Sequence, residues 1–198
     1  MRLSPIAYYG DFVLFGLAIP AVAVAGIVAG QWSATAVETV IPLTVAGAVL
    51  WTLLEYLAHR YVFHKVPIIK EMHEAHHHDQ MALISVPTFA SAAVALFIVF
   101  LPLWLAMGTV AACGLTAGLM FGYLVYGICH HALHHWTFKP DGIGMALKRR
   151  HALHHYFDEG MNFGVTTGFW DKVFGTDVTP EVMAARRAAK ASSEPRSA

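Results

Sequence analysis

The chain has 198 residues, of which 57% are hydrophobic and only 13% are charged, and its formal net charge is zero. A soluble domain carries about a quarter charged residues, so this composition excludes an ordinary soluble domain and is typical of a protein embedded in a membrane. We expect no nucleic-acid partner.

Two uncharged apolar runs occupy the N-terminal part of the chain. Residues 12–30 contain no charge, and residues 39–54 form a second run that is bracketed by Glu38 and Glu55. Because a bilayer crossing takes roughly 20 apolar residues, these runs predict membrane spans over residues 12–30 and 37–57. The first run could also be a cleavable signal peptide, with residues 21–23 as the cleavage box. Asp11 and a start whose only basic residue is Arg2 favour a retained span.

The longest uncharged segment, residues 80–129, contains no Asp, Glu, Lys or Arg. It is long enough for a hairpin of two membrane helices. Pro87 fits the first turn of a third span that runs to residue 107, and a fourth span follows over residues 109–129. Gly114, Gly118 and Gly122 recur every four residues in this fourth span. The stripe predicts close packing of another helix, with room for an acyl chain as the alternative.

The C-terminal part is more polar. Residues 162–176 mix aromatic residues and glycines with a few charges, which predicts a segment that lies along the membrane interface. Thr179, Pro180 and Glu181 indicate the start of a short surface helix that frays into disorder. The predicted fold is all-α, with a single membrane-embedded domain over residues 1–178 and a surface helix and tail over residues 179–198. The domain has four transmembrane helices and a histidine-rich helical cap.

The positive charges predict the orientation of these spans. Lys and Arg residues flank the spans on one side, whereas the opposite loops, residues 31–36 and 102–108, contain none. By the positive-inside rule the basic side is cytoplasmic. Four spans then place both termini and the cap at the cytoplasmic face, in a bacterial inner membrane or, in a eukaryote, the endoplasmic reticulum.

All 13 histidines lie in two windows, residues 59–78 and 130–155. The predicted topology brings these windows, which follow spans two and four, to the same membrane face. His73, His76 and His77 have the spacing i, i+3, i+4, and residues 151, 154 and 155 repeat it, so each triad can present its rings on one helix face. Metal binding by neutral imidazole avoids the repulsion between protonated rings. The histidines therefore predict a metal centre.

The number of histidines indicates which metal. Zinc sites are almost always four-coordinate, so ten or more histidines would oversupply even two zinc ions. Two iron ions with about five nitrogens each and an open position for oxygen fit the number better. Imidazole also binds zinc, copper and nickel, so the spacing favours iron without excluding the others.

Four motifs occur in a fixed order: EYLAHRYVFH at residues 55–64, HEAHHH at 73–78, HHALHH at 130–135, and HALHH at 151–155 followed by NFGVTTGFWDKVFGT at 162–176. Together they resemble the fatty acid hydroxylase / sterol desaturase superfamily of integral-membrane, histidine-rich di-iron oxygenases. The likeness covers about residues 52–176. The first and third motifs are most similar to those of fatty acid 2-hydroxylases, whereas WDKVFGT is also common among sterol desaturases.

The resemblance implies a set of ten metal ligands: His59, His64, His73, His76, His77, His130, His134, His151, His154 and His155. It leaves His78, His131 and His135 as supporting or surface residues. Glu55 lies one turn before His59, and we expect it to accept a proton from that ring and fix its tautomer. We assign no catalytic residue apart from the metal ligands.

The resemblance also implies a reaction. Two iron ions, with O2 as cosubstrate, would hydroxylate a C–H bond of a membrane lipid, most closely at C2 of a fatty acyl chain; zinc can occupy the same sites in a purified sample. Because the motifs come without a haem domain, we expect a separate electron-donor protein at the cytoplasmic face. Arg60, Lys148, Arg149 and Arg150 are its candidate docking patch. The sequence does not indicate the oligomeric state.

Two other classes of function compete with this interpretation. A sterol desaturase or carotenoid hydroxylase of the same superfamily would use the same ligands, because the cavity wall sets the substrate. A membrane metal transporter or storage protein would place histidines or acidic residues within the spans. Here the predicted spans lack them, apart from Glu38 and Glu55 near the ends of span two.

Overall fold

A computed structural model describes residues 2–193 of the chain, and this part is all-helical apart from one isolated bridge between Arg2 and Ile84. The helices are α1 (Pro5–Ala29), α2 (Ala34–Leu57), α3 (Pro67–His78), α4 (Thr88–Ala93), α5 (Leu101–His135), α6 (Ile143–Tyr156), α7 (Phe169–Val173) and α8 (Pro180–Ser193). Two π-helical segments extend them: Ala58–Phe63 continues α2, and Val94–Phe100 joins α4 to α5. The predicted all-α class is confirmed for the described residues.

The helix starts follow local sequence signals. The hydroxyl oxygens of Ser4 and Ser33 accept hydrogen bonds of 3.2 Å from backbone N–H groups in the first turns of α1 and α2. Such N-caps satisfy donors that have no partner within the helix. The predicted start after Thr179 is confirmed, because α8 begins at Pro180. Residues 194–198 of the predicted frayed tail lie outside the described residues, and the division between the domain and this tail stays a prediction.

Three helical stretches are long and apolar enough to cross a membrane: Pro5–Ala29, Ala34–Phe63 and Thr88–His135. Their most apolar windows have mean hydropathies of 2.5, 1.8 and 2.3. Large apolar side chains on all three are exposed, for example Leu17 at 70%, Val45 at 60% and Ile98 at 70%. Apolar surface of this extent belongs in contact with lipid. The chain is therefore an integral membrane protein.

The third stretch, 48 residues long, reverses direction at Gly108. Gly108 has φ 77° and ψ 172°, a conformation that only glycine adopts easily. Ser91 and Tyr123, on opposite sides of Gly108, donate hydrogen bonds of 2.8 and 2.6 Å to the two oxygens of the same Asp11 carboxylate. In a straight helix those residues would be about 48 Å apart. The stretch therefore forms two antiparallel arms, with α4 at the start of one and most of α5 in the other.

The predicted glycine stripe packs α5 against α2. A Cβ atom at Gly114 would lie 2.9 Å from the carbonyl oxygen of Val40, and one at Gly118 would lie 2.9 Å from the Cα atom of Gly47. The Thr44 hydroxyl donates to the carbonyl oxygen of Gly114 at 3.1 Å. Close helix packing is thereby confirmed, and the alternative of an acyl chain in this space is wrong. Because the backbones touch, the histidine-bearing ends of α2 and α5 are held at one end of the molecule.

The segment predicted to lie along the membrane interface is partly buried instead. Asn162, Phe163 and Val165 are at most 4% exposed, because they pack beneath the end of α2. The prediction is therefore wrong for the first half of residues 162–176. In the second half Phe169 and Phe174 are 57% and 46% exposed, and for this half an interfacial position stays a prediction.

Candidate metal centre

Ten histidines converge in two groups of five at the end of the helix bundle. The first group consists of His59, His64, His73, His77 and His154, and the second of His76, His130, His134, His151 and His155. Within each group the ring nitrogens lie within 4.8 Å of one another. These are the ten residues that the family resemblance implies as ligands. The structure brings them together, and their role as ligands is taken up as a proposal below.

Each group draws its histidines from three places in the chain, and each histidine triad is divided between the groups. In α3, His73 and His77 enter the first group while His76 enters the second. In α6 the arrangement is reversed, since His154 enters the first group. The spacing predicts that a triad shares one helix face, but it does not show that the face lies between two centres and serves both. The end of α2 completes the first group, and the end of α5 completes the second.

The nitrogen separations match the size of a metal site. In the first group, Nε2 of His73 lies 3.1, 3.1 and 3.0 Å from the Nε2 atoms of His59, His64 and His77. In the second group, Nε2 of His134 lies 3.1 Å from that of His76 and 2.9 Å from that of His151. Metal–imidazole bonds are about 2.1 Å long. Two ligands at right angles around one ion are then about 3.0 Å apart, so the nitrogens present fit a metal with more than four ligands.

A π-helical turn brings His59 and His64 together. On an α-helix residues five apart point about 140° away from each other, and we expected this pair to straddle a helix end. His64 does directly follow the last helical residue, but the preceding segment Ala58–Phe63 is wound with i→i+5 hydrogen bonds, which places residues five apart one turn from each other. Their ring centroids are 5.2 Å apart and the rings are stacked. Local π-helix is frequent at functional sites, and here it supplies two members of the first group.

Two carbonyl oxygens fix the tautomers of rings in the first group. Nδ1 of His59 lies 2.5 Å from the carbonyl oxygen of Phe163, and Nδ1 of His154 lies 2.8 Å from that of Met161. A carbonyl oxygen can only accept, so in both rings Nδ1 carries the proton. Nε2 is then an unprotonated lone pair that points at the other nitrogens, which is the form a metal ligand needs.

Burial keeps the rings of His76, His77, His151 and His154, which lie outside the membrane helices, neutral at pH 7. Burial, and after it the charges of neighbouring histidines, lowers the pKa of His76 and of His154 to about 4. The same two causes lower the pKa of His77 to about 3. Burial also lowers the pKa of His151. Neutral rings keep their lone pairs available at physiological pH, so the site suits a cation rather than an anion.

The role predicted for Glu55 needs correction. Phe163, not Glu55, contacts Nδ1 of His59, and the Glu55 carboxylate instead accepts hydrogen bonds from the backbone N–H groups of Val165 and Thr166 at 2.7 and 2.8 Å. The Thr166 hydroxyl adds a third at 2.6 Å. Glu55 is only 2% exposed. The sequence places the carboxylate one turn from His59 but does not show that a loop lies between them.

A second buried carboxylate, Asp171, holds the same loop. Asp171 is fully buried and accepts hydrogen bonds of 2.8 and 2.9 Å from the backbone N–H groups of Phe163 and Gly164. Arg150 donates to it at 3.1 Å and also pairs with Asp177. Asp171 therefore fixes the residue whose carbonyl oxygen orients His59. Because Arg150 is committed to these pairs, it does not belong to the predicted docking patch for an electron donor.

The three remaining histidines lie outside both groups. His78 is exposed at the end of α3. His131 stacks on His135, with 4.3 Å between ring centroids, and its Nδ1 lies 3.2 Å from the Tyr8 hydroxyl. A role in orienting metal ligands, which we expected for these three as an alternative to a surface position, has no support in these contacts.

Residues 73–77 also match H-E-x-x-H, the zinc-site pattern of metallopeptidases, in which the glutamate is the general base. In this structure the Glu74 side chain is half-exposed and pairs with Lys70 at 3.3 Å. His73 and His77 are joined by three further histidines, more than a catalytic zinc site uses. The surroundings therefore argue against a peptidase.

A cleft opens beside the two histidine groups. It lies between α1, α3, α5 and residues 84–86, and it reaches His73 of the first group and His76 and His130 of the second. Its walls are mainly apolar: Phe12, Phe63, Ile69, Met72 and Leu124. Apart from the histidines and Ser85, the polar residues that line it are Tyr8, Asp11, Tyr123 and Tyr126. An apolar molecule in this cleft would contact both groups.

Comparison with known proteins gives a consistent result. Residues 44–176 match the family described as Fatty acid hydroxylase. The chain is 35% identical over 144 residues to Dihydroceramide fatty acyl 2-hydroxylase FAH2 of Arabidopsis thaliana, a match that covers 66% of this chain and 58% of that protein. It is 38% identical over 152 residues to Ceramide very long chain fatty acid hydroxylase SCS7 of Saccharomyces cerevisiae, covering 68% of this chain and 38% of that protein.

Fatty acid 2-hydroxylase of Rattus norvegicus is 35% identical over 153 residues, covering 71% of this chain and 41% of that protein. The chain thus spans between 38% and 58% of the length of these three curated relatives. Among solved structures, full-length scs7p, of which only the hydroxylase domain is visible, superposes with a TM-score of 0.70 at 29% identity. That match covers 88% of this chain and 68% of the other. The chain belongs to the fatty acid hydroxylase family.

Proposed function

We propose that this chain is a membrane-bound, metal-dependent oxygenase that hydroxylates C2 of a lipid acyl chain. The observation that carries the proposal is the pair of five-histidine groups beside an apolar cleft. The relatives support the substrate class, because they are named as hydroxylases of fatty acids, of very long chain fatty acids in ceramide, and of dihydroceramide fatty acyl chains.

The proposed cofactors are two iron ions, one in each histidine group. Five neutral nitrogens at separations near 3 Å exceed the four ligands that zinc usually takes, which favours iron. Iron held there would activate O2, with two electrons from a donor protein and two protons, to convert a C–H bond into C–OH and water. Zinc in a purified sample would then be a substitute metal.

The protein's own groups prepare this chemistry. The carbonyl oxygens of Phe163 and Met161 hold His59 and His154 in the tautomer that presents Nε2. The apolar walls of the cleft exclude water from the acyl chain and position a carbon near both histidine groups. No side chain needs to act as a general base in this scheme, so we assign none.

We also propose the four-span topology, with both termini and the histidines at the cytoplasmic face. The reversal at Gly108 supports four crossings, because each arm of the third helical stretch is long enough to span a bilayer. The concentration of Lys and Arg near the histidine-bearing ends supports the orientation.

A separate electron-donor protein completes the proposal. Arg60 of the predicted patch lines a second, open depression beside His64 of the first group, together with Lys65 and the acidic Glu159. An acidic donor would be attracted to this side. Arg150 pairs with Asp171 and Asp177 and so does not belong to the patch. Lys148 donates to the carbonyl oxygen of Trp136 at 2.8 Å.

The proposal is tested by lipid analysis in a host that lacks 2-hydroxy acyl lipids. Expression of the chain should add acyl species one oxygen heavier, with the hydroxyl at C2 by mass-spectrometric fragmentation. The variant His151→Ala, expressed at the same level, should add none. Metal analysis and Mössbauer spectra of the purified protein should show close to two coupled irons. A four-coordinate zinc site without iron, or unchanged host lipids with iron present, would contradict the proposal.

A further inference from the structure

Asp11 is a buried acidic residue in the wall of the cleft. It lies in the second turn of α1, is 6% exposed, and is the one acidic side chain among the described residues that line this space. An ionisable group within a membrane helix is costly to bury and commonly marks a site of function. The mechanism proposed above gives it no role.

The environment holds the Asp11 carboxylate ready to accept a further hydrogen bond. One oxygen accepts from Ser91 at 2.8 Å and the other from Tyr123 at 2.6 Å. A carboxylate has about four lone-pair positions, so these two bonds orient the group and leave acceptor capacity unused. Ser91 lies outside the cleft lining, whereas Asp11 and Tyr123 both face it.

The cleft joins this carboxylate to the metal centre. Tyr126 lines the same space and stacks on His130, with 5.8 Å between ring centroids and 7° between planes. His73 and His76 line it as well, so one bound molecule can reach both the carboxylate and the two histidine groups. A substrate whose C2 lies at the histidines has its carbonyl carbon and head group one and two bonds away. Directed into this cleft, the polar end of the lipid would lie among Tyr8, Asp11, Tyr123 and Tyr126.

We propose that Asp11 selects the head group of the acyl substrate. Its carboxylate accepts a hydrogen bond from a neutral N–H or O–H group beside the acyl carbonyl and repels an acyl chain that ends in a free carboxylate. The acceptor favours amide-linked acyl chains over ester-linked ones, which lack the donor. Like charges in a poorly solvated site disfavour the free acid by on the order of tenfold or more. This inference rests on the proposed acyl hydroxylation.

The experiment measures competition in the purified, iron-loaded full chain, supplied with electrons and O2 in lipid nanodiscs. An N-acyl amide lipid and the free fatty acid of the same chain length are present in equal amounts, and the two 2-hydroxy products are quantified by mass spectrometry. The wild-type protein should favour the amide product at least tenfold. In Asp11→Asn, which removes the charge and keeps a carbonyl acceptor, the ratio of free-acid product to amide product should rise about tenfold.

A matched control separates selection from helix packing. Ser91→Ala removes a hydrogen bond to Asp11 but leaves its charge, so the product ratio should stay as in the wild type whatever happens to the rate. If Asp11 merely ties the helices together, Asp11→Asn will lower both products in proportion, and an unchanged ratio overturns the inference. If the wild-type protein hydroxylates neither lipid while it holds two irons, the proposed function fails instead.

A measurement on the wild-type protein covers the case in which Asp11→Asn does not fold. Hydroxylation of an isotope-labelled acyl lipid is inhibited with a long-chain primary amide or with the free acid of equal length. The neutral amide should inhibit at a concentration at least tenfold lower than the acid. Equal inhibition, or stronger inhibition by the acid, would overturn the selection of a neutral donor.

Discussion

Replacement of Glu55 should weaken metal binding in the first histidine group while the second group keeps its metal. Glu55 accepts three hydrogen bonds from Val165 and Thr166, and these residues follow Phe163, whose carbonyl oxygen orients His59. Loss of the carboxylate loosens the loop. The carbonyl oxygen of Phe163 then no longer holds His59 in a single tautomer. Removal of such an outer partner typically lowers metal affinity by about 10–100-fold.

The structure also bounds the cost in stability. Glu55→Ala leaves one buried and two partly buried donors without an acceptor, at roughly 1–3 kcal/mol for the buried one and less for the others. Glu55→Gln is the better variant, because its amide oxygen can still accept from both backbone N–H groups. Only the charge and the bond from the Thr166 hydroxyl are lost, at about 1–2 kcal/mol.

The assay is chelator competition with element analysis at each chelator concentration. The wild-type protein should release its two metals together or nearly so, whereas Glu55→Gln should release one metal at about tenfold lower chelator concentration. Glu38→Gln is the matched control, because Glu38 is exposed on the same helix. If both metals of Glu55→Gln are lost in parallel, or if neither affinity changes, the carboxylate does not act through the loop.

Three further perturbations test other parts of the structure. His130→Ala should abolish lipid hydroxylation and remove metal from the second group. His131→Ala should retain both the activity and the metal, because the His131 ring contacts Tyr8 outside the groups. The reverse result would show that the assignment is wrong by one residue. Gly118→Val should lower stability by about 1–3 kcal/mol through overpacking against α2, and an unchanged melting temperature in detergent would refute the packing argument. Lowering the pH from about 6.5 towards 4 should release metal and destabilise the protein. Over that pH range His76 and His154 take up protons in the unfolded chain, whereas in the folded protein their pKa is about 4 and they stay neutral. A melting temperature independent of pH would contradict this.

Much of the fold could be predicted because its signals are local. Uncharged runs and proline positions each predict a helix or its start from neighbouring residues alone. The glycine stripe even predicted which face of α5 meets another helix, as Gly114 and Gly118 show. Local signals did not predict the path of the chain after α6. Residues 162–165 have the composition of an interfacial segment, and only the fold shows that the carboxylates of Glu55 and Asp171 hold them in the interior.

The candidate site was predictable in composition and less so in arrangement. Helical spacing identified the triads, but their division between two groups depends on where α3 and α6 lie relative to the ends of α2 and α5, which the spacing does not predict. The π-helical turn at Ala58–Phe63 was hidden as well, since its sequence, AHRYVF, has no feature that excludes an ordinary α-helix. Asp171 was missed for a similar reason: a charge in a short aromatic segment is most often solvated, and only the fold shows it to be buried.

The two histidine groups differ in how their rings are held, and this difference has an energetic consequence. In the first group, carbonyl oxygens take the Nδ1 protons of His59 and His154. In the second, Nδ1 of His151 and of His155 is buried with no hydrogen-bond partner among the described residues. A proton on Nδ1 there is an unsatisfied donor that costs about 1–3 kcal/mol, whereas a proton on Nε2 can be donated to a neighbouring ring nitrogen 2.9–3.0 Å away. His59 and His154 in the first group are therefore already in the tautomer that a metal ligand needs, whereas metal binding by His151 and His155 has to displace a proton from Nε2.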